Sequence, residues 1–132
     1  MSFGLALSAM ILMGSCGQAA PEARLGEEWT LKPGQAGRIR GEDLRIRFVS
    51  VTQDSRCPKG EQCIVAGNAA IALEISRGDL EPVSFQLNTS EEPQEVVYEG
   101  YAARLVDLAP YPVTGRAINS VDYLATVLVR KL

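Results

Sequence analysis

Leu44-Arg45-Ile46-Arg47-Phe48-Val49-Ser50-Val51 alternates apolar and charged side chains over its first five positions. A period of two sets Leu44, Ile46 and Phe48 on one face and Arg45 and Arg47 on the other. That is the pattern of a strand with one face buried and one in water. The apolar parity switches at Val49 and Val51, which predicts a bulge or a strand covered on both faces. Reading outward, the same period recurs. Ile71, Leu73 and Ile75 alternate with Ala70, Ala72 and Glu74, and Val83, Phe85 and Leu87 form another strand. Gln94 to Tyr98, Tyr101 to Leu108, Trp29 to Leu31 and Ala36 to Arg40 are further strands. The segment Tyr123 to Leu132 is apolar on both faces, which predicts a central strand or one buried between layers. Turn signals at Lys32-Pro33-Gly34, Gly41-Glu42-Asp43, Arg77-Gly78-Asp79 and Glu99-Gly100 punctuate these runs. Tyr111 to Asn119 reads as a longer loop. About eight short strands with no helix to cover a single sheet predict an all-β fold, an antiparallel β-sandwich or Greek-key barrel.

The chain has 132 residues, enough for one domain, and 46% of them are hydrophobic, enough for a core. Net charge is -3 with the charges mixed along the chain, so no nucleic-acid footprint is present. There is no histidine, which excludes histidine acid–base catalysis, a histidine-containing triad and the commonest metal ligand. Met1, Met10 and Met13 are the only methionines. Removal of the N-terminal segment would therefore leave no thioether for a copper site. Neither a metal nor a cofactor is expected.

Residues 1–15 are read as a signal peptide. Phe3 to Met13 is a run of apolar and small residues, too short to span a bilayer comfortably and suited to the apolar region of an export signal. No Lys or Arg precedes it, a departure from the usual signal. Leu12-Met13-Gly14-Ser15-Cys16 resembles a bacterial lipobox, although Met13 occupies the position where leucine is usual. The resemblance implies cleavage before Cys16 and lipidation of its thiol, giving a stable membrane anchor. The alternative is plain secretion with cleavage near Ala19-Ala20. Residues 16–27 are small or polar and read as a tether, and residues 28–132 as a single β-domain.

With Cys16 lipidated, Cys57 and Cys63 are the remaining pair. In an oxidising compartment the expectation is a disulfide, closing a ring around Pro58-Lys59-Gly60-Glu61-Gln62. A zinc site is disfavoured because it needs four ligands, and the spacing is not that of a Cys-X-X-Cys redox pair.

The segment Asp54-Ser55-Arg56-Cys57-Pro58-Lys59-Gly60-Glu61-Gln62-Cys63-Ile64-Val65-Ala66-Gly67-Asn68-Ala69 resembles a signature of small secreted bacterial proteins and lipoproteins, DSRCP followed by a second cysteine and AGNA. Val65 stands where that family often has tryptophan. The resemblance implies an exported β-domain with a disulfide and supplies no catalytic residue. Physically the motif reads as a rigid loop. Asp54 is expected to cap the turn, Arg56 to pair with Asp54 or lie over the loop, and Gly67 to permit sharp re-entry into the next strand.

Asp54, Arg56, Lys59 and Gly67 are therefore the candidate binding loop, since rigid loops on sheet scaffolds carry recognition. The bland alternative is a loop that only closes one end of the fold. Arg38, Arg40, Arg45 and Arg47 could contact phosphate or glycan anions, or form a solvated face balanced by Glu28, Glu42 and Asp43. Glu91 and Glu92 are adjacent in a loop, the wrong arrangement for carboxylates facing across a cleft. Asn88-Thr89-Ser90 matches a glycosylation sequon, at odds with the lipobox.

These observations point to a non-enzymatic, lipid-anchored module of the bacterial cell envelope. Its expected partners are the membrane, through Cys16, and an envelope protein or glycan. A structural accessory subunit is the alternative, and a hydrolase using Asp or Glu a more distant one.

Overall fold

A computed structural model of the chain describes residues 20–132. The expected signal peptide and Cys16 lie outside the described residues. Strands β1 (Glu22–Ala23), β3 (Ala36–Ile39), β4 (Leu44–Asp54), β5 (Ala69–Arg77) and β6 (Val83–Asn88) form one sheet in the order β1-β3-β4-β5-β6. Strands β2 (Trp29–Leu31), β7 (Glu95–Tyr98), β8 (Tyr101–Ala109) and β9 (Leu124–Lys131) form the second, ordered β2-β9-β8-β7. Every pairing is antiparallel except β1 with β3. The fold is thus an all-β sandwich.

The alternation in β4 predicts its burial correctly. Leu44, Ile46 and Phe48 are buried, while Arg45 and Arg47 face solvent. The parity switch is a bulge. The β4–β5 register shifts between Phe48 and Ser50 and again between Val51 and Gln53, so extra residues turn the strand partway along. From the facing sheet, Leu31, Tyr101, Leu105, Leu108, Ala125, Val127 and Val129 close one apolar core.

Of the two alternatives for the last strand the first holds, and the reading of the tether changes. Strand β9 is central, between β2 and β8, yet only one of its faces is buried, because Leu124 is exposed and Leu128 half-buried. The stretch read as tether also contributes a strand. Arg38 N donates to Pro21 O at 3.0 Å and Arg40 N to Ala23 O at 2.7 Å, and Ala23 joins the core. Glycine is required at position 37, in β3, because a Cβ there would overlap the Trp29 ring, which packs over this strand.

Three connections, 55–68 between β4 and β5, 89–94 between β6 and β7, and 110–123 between β8 and β9, meet at one end of the sandwich. The motif read from sequence is the first of these.

Candidate functional site

The site is built on Arg56, which has the last β4 residue, Asp54, as its anchor. Arg56 is only 7% exposed. Its guanidinium makes a bidentate pair with the Asp54 carboxylate, Nε to Oδ1 and Nη2 to Oδ2, both at 2.8 Å. Nη1 donates to Leu108 O at 2.6 Å and Nη2 to Pro110 O at 3.0 Å. Tyr123 completes the cluster, its hydroxyl donating to Asp54 Oδ2 at 2.9 Å. One arginine thereby fastens the β4–β5 loop to the end of β8 in the opposite sheet. Planar, multidentate arginine suits this role better than lysine's point charge would.

The electrostatics follow from this packing. Burial pushes the Asp54 carboxyl up, but the bonds from Arg56 and Tyr123 together outweigh it, and its pKa lies below the usual carboxylate value. Burial and the Asp54 bond both push the Tyr123 hydroxyl up. Acid–base catalysis works best with groups that titrate near the operating pH. Both shifts run away from neutrality, and the geometry is that of a clamp, with the Arg56 guanidinium bonded to Asp54 and to the Leu108 and Pro110 carbonyls.

Beyond the clamp the loop is tied at several points on either side of Ile64 and Val65. Cys57 and Cys63 are bonded, with Cα atoms 6.0 Å apart. Cys57 N donates to Ala66 O at 3.0 Å, and Ser55 N to Asn68 O at 2.8 Å. Lys59 N donates to Pro112 O at 2.9 Å, and the Thr114 hydroxyl to Lys59 O at 3.2 Å, joining the loop to residues 110–119. Arg56 and Lys59 both stand over the Tyr111 ring, 5.2 and 5.8 Å from its centroid. Gly67 has φ +75° and lies against Ser55.

Asn68 is a residue whose role the sequence reading missed. It is buried, and its Nδ2 donates to Asn88 Oδ1 at 3.0 Å. Its Oδ1 accepts the Ser90 and Glu91 N–H groups at 3.0 and 3.1 Å. Asn88 is buried too and donates to Pro93 O at 3.1 Å, so the sequon side chain is committed to this clasp. An asparagine just before β5 and another at the end of β6 were the only available signal.

Of the four expected contact residues, Asp54, Arg56 and Gly67 are scaffold and Lys59 is exposed. What the loop presents instead is Ile64 and Val65, 104% and 73% exposed. Among the described residues, no group of three or more His, Cys, Asp or Glu side chains could hold a metal ion.

Removing the bridge should cost about 2 kcal/mol, the chain-entropy value for so small a ring. Denaturant unfolding of Cys57→Ser/Cys63→Ser checks this. Because the clamp lies outside the ring, the variant should still unfold as one cooperative unit.

Fold and site together define a class, a two-sheet β-sandwich presenting a clamped, disulfide-closed loop at one end. No family model matches the chain, and no curated protein or solved structure matches it significantly.

Proposed function

We propose that the protein is a lipid-anchored, non-enzymatic binding module of the cell envelope, and that its contact surface is the tip of loop 54–67. The observation that carries this reading is the exposure of Ile64 and Val65 on a segment fixed by a disulfide and by buried Arg56. A β-branched pair held in water contributes little to folding, and loops positioned by a rigid scaffold disproportionately carry binding residues. Rigidity lowers the entropy cost of binding, because the loop is ordered before the partner arrives. The lipobox-like Leu12 to Cys16 supports the anchor, and a disulfide is compatible with an extracytoplasmic compartment. The protein partner is favoured over a glycan, because the tip is apolar.

The experiment is Ile64→Ser/Val65→Ser. Both side chains are exposed, so stability should stay within about 0.5 kcal/mol of the parent. Co-purification of envelope proteins from native membranes should be lost. Unchanged co-purification would move the contact surface elsewhere.

A further inference from the structure

We propose that Arg38 and Arg45 form a binding site for a phosphate-type oxyanion on the outer face of the first sheet. It is independent of the loop. Arg38 and Arg45 are direct cross-strand neighbours in the β3–β4 pairing, and both side chains are exposed. Like charges directly opposite one another in a sheet are destabilising. Among the described residues, neither guanidinium has a carboxylate within 4.0 Å.

The acids that could neutralise the pair are engaged elsewhere. Glu22 stands in register with Arg38, but its carboxylate lies 3.6 Å from Arg40. Glu74 pairs with Arg47 at 3.7 Å, and Asp43 with Arg77 at 3.1 Å. Glu42 pairs with Lys131 at 3.4 Å and accepts from the Tyr101 hydroxyl. The sheet therefore carries two adjacent positive charges with no direct ion-pair partner among the described residues.

Shape agrees with charge. Arg38 and Arg45 line a shallow hollow of about 340 Å³ together with Ser76, the cross-strand neighbour of Arg45. Glu42 and Asp43 also line it, with their charges already met by Lys131 and Arg77. Two guanidinium forks can approach a tetrahedral oxyanion from two sides with charge-assisted bonds, and the Ser76 hydroxyl adds a further donor. The same chemistry serves a phospholipid headgroup and a soluble phosphate ester. Strand β1, the edge of this sheet, is where the chain arriving from Cys16 enters the fold.

The test titrates inorganic phosphate into the full chain at constant ionic strength, following the melting temperature, with chloride as reference. Phosphate should raise the melting temperature above the chloride value. Arg38→Gln and Arg45→Gln should each weaken phosphate binding about ten-fold or more, the loss expected for a charge-assisted contact. Without phosphate, each variant should melt at the parent temperature or above it, because the repulsion is relieved. Phosphatidylcholine vesicles with and without phosphatidylglycerol separate the sources. Variants that also lose the phosphatidylglycerol-dependent part of vesicle binding identify a headgroup, and variants that lose phosphate alone identify a soluble ester. Equal melting in phosphate and chloride, or variants that bind phosphate like the parent, would overturn the proposal. Variants that melt lower without phosphate would also overturn it, by making the pair structural.

Discussion

Arg56→Ala should destabilise the protein by about 3–5 kcal/mol, the range for breaking a buried ion pair by removing one partner. The cost arises from what stays behind. Asp54 would keep a largely buried carboxylate with Tyr123 as its one remaining side-chain donor, and the Leu108 and Pro110 carbonyls would each lose a charged donor. Urea unfolding of parent and variant measures the difference directly.

The same clamp gives a pH dependence of known sign. The folded pKa of Asp54 is depressed, so its contribution is complete above the ordinary carboxylate value of about 4 and is lost as pH falls through the folded value. The folded pKa of Tyr123 is raised, so its contribution is complete below about 10 and is lost as pH rises through its folded value. In Arg56→Ala the acid limb should flatten, because the chief donor to Asp54 is gone. An unaltered acid limb would mean that other carboxylates set it.

Gly67→Ala is the second large effect. A Cβ at this position would overlap the Ser55 carbonyl oxygen and lie 2.7 Å from its carbon and 3.0 Å from Arg56 Cα. All of these are backbone atoms that cannot swing aside. The left-handed conformation adds about 1–2 kcal/mol for a side-chain residue, and overpacking about 1–3 kcal/mol, so a loss of about 2–5 kcal/mol is expected. Gly60 supplies the comparison. It also has positive φ, but a Cβ there would meet nothing closer than 3.8 Å. Gly60→Ala should therefore cost only the conformational part, about 1–2 kcal/mol. Equal losses at the two positions would show that the close approach at Ser55 is not what requires glycine.

The sheets were legible because their signal is local. Leu44, Ile46 and Phe48 declare a buried face within five residues, and the switch at Val49 announced the bulge that the pairing shows. Strand β1 was not legible. Glu22 and Ala23 are too short a run to carry a period, and their place comes from bonds to Arg38 and Arg40. The clamp was half legible. An Asp two residues before an Arg suggested their pairing, but nothing nearby in sequence announces Leu108, Pro110 or Tyr123, between 52 and 69 positions away. That distance turned Arg56 from an expected contact residue into a buried support. Ile64 and Val65 lie within a legible motif, yet their meaning depends on exposure, which sequence does not state.

The central claim is that the fixed loop tip meets a partner, and site-specific photo-crosslinking in the native envelope tests it most directly. A photoreactive residue at position 64 should give a discrete adduct of defined mass. The same group at Val106, an exposed residue at the β8 bulge, should give none. An adduct from position 64 alone is the predicted result. No adduct from position 64, or the same adducts from both positions, would contradict the account.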